Sequence, residues 1–128
     1  TAAMGIGPGD LMNDLKAFGL LFETFCVRDL RVYAQSLAGD VYHYRDKNGL
    51  ECDAVVHLPN GDYALIEIKL GGEKLIEDGA NSLLRLASKI DVNRMKHPSF
   101  LMVLTATGTF AYRRKDNVLV VPISTLGA

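Results

Sequence analysis

Asp53 is followed fourteen residues later by Glu67, Ile68 and Lys69 in the stretch ECDAVVHLPNGDYALIEIK. The run YALIEIKL alternates and is apolar enough to read as a buried or half-buried strand, so two carboxylates and an ammonium fall where a core is expected. Charges persist in such places when they are paired or bind a metal, because desolvation otherwise neutralises them. Two carboxylates on one face can share a divalent cation. Hard oxygen donors with room for water suit Mg²⁺ or Mn²⁺ better than zinc, and the main-chain carbonyl of Ile68 would complete the protein's share. A cation there would lower the pKa of a water molecule and stabilise charge on a phosphoryl oxygen, as phosphodiester hydrolysis requires. Lys69 would orient that water and offset charge developing on the phosphate.

These residues share a face only if the chain between them turns in the right register. Pro59-Asn60-Gly61 is a turn cluster, so residues 51–58 and 62–70 are predicted to form a hairpin with a short loop. With Asn60 at its centre, Asp53 faces Glu67. Opposed residues point to the same side of an antiparallel pair and alternate residues share a face, so Lys69 joins them. A slip of one residue would separate the two carboxylates. By the same parity Glu51 is an auxiliary candidate, set against the plainer reading of a surface carboxylate.

Residues 10 to about 37 carry apolar residues at helical spacing, with Gly39 as the expected stop. Leu11, Leu15, Phe18, Phe22 and Phe25 form one stripe and Leu20, Val27, Leu30 and Ala34 a second, a surface wide enough to imply burial on more than one side. Glu23 falls inside the second stripe. If the helix packs on the face of Asp53, Glu23 is a further ligand or holds a metal-bound water; otherwise it pairs with Arg28 or reaches solvent at the helix edge.

Residues 41–46 read as a strand, turning at 46–49 into the hairpin. After Gly71-Gly72, the spacing of Ile76, Ala80, Leu83, Leu84, Ala87 and Ile90 predicts an amphipathic helix ending near Asn93. FLMVLT, residues 100–105, reads as a buried strand parallel to that of Glu67. Short strands follow at 111–113 and 118–121. The order implies an α/β domain with a mixed central sheet flanked by helices.

With 128 residues, 48% of them hydrophobic, the chain suits one globular domain. No stretch reaches the length needed to span a bilayer and no leader-like segment opens the chain, so no membrane association is expected and the localisation expected is cytoplasmic. Cys26 and Cys52 are too few and too far apart for a zinc site and read as buried thiols. Net charge is −1, but residues 69–128 carry 9 Lys/Arg against 5 Asp/Glu. Arg85, Lys89, Arg94, Lys96, Arg113, Arg114 and Lys115 are therefore candidates for a phosphate-binding face, or else solvated surface charges. Tyr42, Tyr44 and Tyr112 either stack on bases or pack across the sheet.

A helix Glu, then Asp, then Glu-x-Lys, in the order helix, three strands, helix, strand, resembles the PD-(D/E)XK nuclease superfamily over nearly the whole chain. More narrowly, FGLLFETFCVRDLRVYAQ, VYHYRDKNGLECDAVV, IEIKLGG and FAYRRKDNVLVVPI are similar to the C-terminal nuclease-like domain of prokaryotic AAA-type ATPases. The resemblance implies a restriction-endonuclease-like αβββαβ core over residues 10–128, with residues 1–9 a lead-in from a preceding P-loop ATPase module. It implies metal coordination by Glu23, Asp53 and Glu67, catalysis by Lys69, and a nucleic-acid substrate, DNA above RNA. Cys52 stands where the motif's name has proline.

Three functions follow as expectations: a Mg²⁺- or Mn²⁺-dependent nuclease within a larger ATPase, a non-catalytic nucleic-acid- or protein-binding regulatory module that keeps the nuclease fold, or a structural domain whose charges form a salt-bridge network around Lys69.

Overall fold

A computed structural model describes the backbone of residues 8–45, 47, 49–90 and 96–126, and side chains within those bounds from residue 17 to residue 125. The lead-in before residue 8, the side chains of Leu11 and Leu15, positions 46 and 48 of the turn, Asn93 and Arg94 lie outside the described residues.

The chain runs α1 (Pro8–Ser36), β1 (Asp40–Arg45), β2 (Glu51–His57), β3 (Tyr63–Lys69), α2 (Glu73–Ser88), β4 (Phe100–Thr105), β5 (Tyr112–Arg113), β6 (Leu119–Pro122) and α3 (Ile123–Leu126). The strands form one mixed sheet in the order β1-β2-β3-β4-β6-β5. β1, β2 and β3 are antiparallel neighbours, whereas β4 lies parallel to β3 across the α2 crossover, as the apolar FLMVLT run implies. α3 is a short addition that the sequence pattern did not announce.

Two cores lie on opposite faces of the sheet. On one, Cys26, Leu30 and Ala34 of α1 pack on Ala54, Val56, Ile66, Ile68, Met102 and Leu104. On the other, Ala80, Leu83 and Leu86 of α2 pack with Cys52, Tyr63, Leu65, Val103 and Val118. β3 is buried along both faces, which is why it reads as nearly continuous apolar sequence.

α1 departs from the expected double burial. Only the stripe through Phe22, Cys26, Val27, Leu30 and Ala34 reaches the sheet, while Phe18, Leu20, Leu21, Phe25 and Val32 are exposed. A helix lying across one sheet face can bury only the arc that faces it. Its end also differs in detail. Ala38, not Gly39, takes the left-handed conformation (φ 59°), and the Gly39 N–H returns to the Ala34 carbonyl at 2.8 Å. Gly39 is needed for space, since a Cβ there would stand 2.6 Å from the His57 carbonyl oxygen. α2 stops at Ser88, short of the expected end; the Lys89 N–H tightens onto the Leu86 carbonyl and the Ser88 hydroxyl bonds the Arg85 carbonyl.

Candidate functional site

The hairpin turn sets the register of the site. The Leu58 N–H bonds the Asp62 carbonyl at 2.8 Å, the Gly61 N–H bonds the Leu58 carbonyl at 3.0 Å, and the Asp62 N–H bonds the Asn60 side chain at 2.9 Å. Gly61 supplies the positive φ (94°) that closes this three-residue loop. From it His57 pairs with Tyr63, Val56 with Ala64, Val55 with Leu65 and Ala54 with Ile66. This is the register that sets Asp53 opposite Glu67.

Regular pairing ends at that point, and the two carboxylates take over. The Asp53 N–H donates to Glu67 Oε2 at 3.0 Å, and the Ile68 N–H donates to Asp53 Oδ2 at 2.8 Å. On the other side of β2 the pairing with β1 shifts between Tyr42 and Tyr44, so that two residues of β2, Asp53 and Ala54, stand opposite His43 alone. Such a bulge re-aims side chains and breaks strict alternation. Its effect shows in the packing, because Cys52 joins the α2-side core while Ala54 joins the α1-side core. The parity that paired Glu51 with Asp53 therefore fails. Glu51 is exposed and bonds the Arg45 guanidinium at 3.0 Å, a surface carboxylate on the outer strands.

Glu67 is 7% exposed. Burial first, and the charge of Asp53 second, push its pKa from 4.5 up to about 8. Glu23 is half-buried on α1, and its pKa is also raised, first by burial and next by Asp53, with Glu51 adding to this and His43 and Lys69 opposing it. Glu23 thus lies in the field of Asp53 and Lys69, and it makes no ion pair with Arg28 among the described residues. The carboxylates of Asp53 and Glu67 meet directly. Glu23 approaches them without completing a close cluster: among the described residues, no three His, Cys, Asp or Glu side chains converge tightly enough to hold a metal ion by themselves.

Lys69 ends β3 with its stem against α2. A Cβ on Gly79 would stand 3.3 Å from Lys69 Cγ and 3.2 Å from Val103 Cγ2, so glycine at that helix position lets α2 rest on the lysine. Among the described residues the salt bridges run through His43, Arg45, Lys74, Lys96 and Arg114, and none reaches Lys69. The salt-bridge network considered for Lys69 is therefore not what the lysine does here.

A cleft of about 440 Å³ opens beside this lysine. Gly19, Leu20, Phe22 and Glu23 of α1, Ile68, Lys69 and Leu70 at the end of β3, and Leu75 of α2 line it. Its walls are mostly apolar, with Glu23 and Lys69 as the charged groups among the described residues. The sequence did give one sign of this cleft, a glycine in mid-helix. A second residue that the pattern did not single out is His43, whose Nδ1 lies 3.4 Å from the Asp53 carbonyl oxygen and whose Nε2 lies 3.9 Å from Glu51.

Both cysteines are buried free thiols. Cys52 bonds the Ala54 and Ile66 carbonyls at 3.2 and 3.3 Å, filling the place where the strands part, and burial pushes its pKa up to about 12. A thiol so protonated is a poor nucleophile and a poor metal ligand. The expected basic face is partly spent on local structure. Lys96 pairs with Asp62 at 2.8 Å and Arg114 with Asp116 at 3.3 Å, which leaves Arg85, Lys89, Arg113 and Lys115 exposed. Tyr42, Tyr44 and Tyr112 are all at least 39% exposed; Tyr42 rests edge-on against His57, and Tyr112 lies tilted against Phe110.

An α/β domain with a mixed six-stranded sheet flanked by helices, carrying a carboxylate pair and a lysine where its central hairpin parts, is the class defined by this geometry. Residues 18–126 match the family model described as Domain of unknown function (DUF4143), and the chain belongs to that family. No curated protein and no solved structure matches it. Among the described residues no helix is long and apolar enough to cross a membrane.

Proposed function

We propose that the domain is a divalent-metal-dependent nuclease of the PD-(D/E)XK type that hydrolyses phosphodiesters of nucleic acid, DNA above RNA, within a larger protein carrying a P-loop ATPase module. The observation that carries this reading is the junction where the β2–β3 ladder ends. Asp53 and Glu67 stand side by side there, each anchored to a backbone N–H, with Lys69, which makes no ion pair among the described residues, two residues on from Glu67.

The donor set fits Mg²⁺ or Mn²⁺. Burial first, and the neighbouring Asp53 second, drive Glu67 toward its neutral form, and a divalent cation between the two hard carboxylates would favour the charged form of both. Mg²⁺ keeps several waters and takes one or two carboxylates. Asp53, Glu67 and the Ile68 carbonyl would hold the ion, and Glu23 would hold one of its waters from across the cleft. The ion would supply Lewis-acid stabilisation of a phosphoryl oxygen and a more acidic water. Lys69, positioned by its packing on Gly79, would orient the attacking water and offset charge on the phosphate.

Incubation with a panel of DNA and RNA substrates in Mg²⁺ or Mn²⁺ tests this. Cleavage is expected, falling about 10²–10³-fold in Lys69→Ala and lost in Asp53→Ala. No metal-dependent cleavage of any substrate would overturn it. The second reading, a binding module that keeps the nuclease fold without turnover, is favoured by one observation, the lack of a third close ligand among the described residues. Oligonucleotide binding that is insensitive to Asp53→Ala, with no cleavage, would support it.

A further inference from the structure

Two glycines sit inside helices near Lys69, and they differ in a way that points to a ligand. Gly79 is demanded by packing, as described above. Gly19 is not: no described atom lies within 4 Å of where its Cβ would be. Glycine in a helix interior costs stability relative to alanine, and at position 19 no described contact calls for it. Gly19 lies in line with Glu23, Cys26, Leu30 and Ala34 at helical spacing, on the arc of α1 that faces the sheet. Lower down that arc Cys26, Leu30 and Ala34 are buried to 1% exposure or less. At Gly19 the arc faces the cleft instead, and its missing side chain leaves the cleft open.

We infer that this cleft receives one unpaired nucleobase of the substrate, the nucleotide next to the phosphate held at Lys69, so that the domain prefers single-stranded or frayed ends to closed duplex. The inference rests on the nucleic-acid reading of the site. At about 440 Å³ the space falls within the range of small-ligand sites, roughly 300–1,000 Å³. Phe22, Ile68 and Leu75 offer apolar surface to the faces of a base. The Glu23 carboxylate can accept from the N–H groups of a base edge, and Lys69 answers the charge of the attached phosphate. A fatty-acid anion would match the walls and the lysine but would bring a second carboxylate up to Glu23. A stacked and paired base cannot enter without leaving its helix, a cost that an unpaired base avoids.

The test uses a cleavage-resistant phosphorothioate oligonucleotide carrying 2-aminopurine, single-stranded or annealed, with wild type and Gly19→Leu in Mg²⁺. Wild type should bind the single strand about tenfold more tightly than the blunt duplex, with a change in 2-aminopurine emission. Gly19→Leu should lose both the preference and the emission change. Gly19→Ala keeps the test open if leucine impairs folding; it should raise the melting temperature while weakening single-strand binding. A nucleoside monophosphate should displace the probe and octanoate should not. Equal binding of single strand and duplex by wild type, undiminished binding by both variants, or displacement by octanoate alone would overturn the inference. Single-strand preference that Gly19→Leu removes, found in a protein whose melting temperature does not respond to Mg²⁺, would uphold the base site while the metal reading fails.

Discussion

The two halves of the β2–β3 hairpin are built from the same kind of strand and held together by different means. Toward the turn, four residue pairs from His57–Tyr63 to Ala54–Ile66 keep a regular backbone ladder over apolar side chains. Beyond Ala54 the backbone donors of Asp53 and Ile68 are satisfied by the carboxylates of Glu67 and Asp53. A ladder bond buries no charge, whereas the carboxylate clasp sets two acids side by side and, by burial first and the charge of Asp53 second, drives Glu67 toward its neutral form. The first half is arranged for stability. The second carries electrostatic strain that a divalent cation would relieve.

Substitutions in each half should separate these roles. The largest loss of stability is expected in the ladder half. Ile66 is 1% exposed between α1 and the sheet, and Ile66→Ala should cost about 2–5 kcal/mol, read as a fall in the urea midpoint. In the clasp half, Lys69→Ala should lower that midpoint far less while removing most cleavage, since it loses only the stem packed on α2 and no ion pair among the described residues depends on the lysine. A loss of stability in Lys69→Ala comparable to that in Ile66→Ala would erase the contrast.

A smaller effect concerns pH. The Glu67 carboxyl titrates at about 8 in the folded chain against 4.5 ordinarily, because burial and then Asp53 disfavour its charge. Between those values the folded chain holds a proton that the unfolded chain has released. This contribution to the stability of the metal-free protein should therefore be fully present below the lower value and be lost as pH rises toward the upper one. Urea unfolding at several pH values should show this slope in wild type and a flatter one in Glu67→Gln. Equal slopes would mean that the clasp carries no such strain.

Much of this was legible in the sequence, for identifiable reasons. Pro59-Asn60-Gly61 fixed the register because a short loop permits few geometries, so the facing of Asp53 and Glu67 followed. The parallel β4 was legible in FLMVLT because a strand buried on both faces has no polar alternation. The failures share a cause, which is that periodicity does not know what it faces. The stripes of α1 are real, yet the sheet covers only one arc of them, leaving Phe18 and Leu20 exposed. Glu51 was grouped with Asp53 by alternation, and a bulge opposite His43 broke the alternation between them. The cleft had only Gly19 as a sign, because an opening is a property of several elements meeting and no single run of residues records it.

The central claim is that the clasp is a divalent-cation site, and thermal unfolding of wild type and Asp53→Asn across a Mg²⁺ and Mn²⁺ titration tests it most directly. A ligand that binds only the folded state stabilises it by about 2.7 kcal/mol at one hundred times its dissociation constant. The melting temperature of wild type should rise with the metal, more at pH 8 than at pH 6 because the ligands must shed their protons, and Asp53→Asn should show little or no rise. A wild type that does not respond to either metal, or a variant that responds equally, would contradict it.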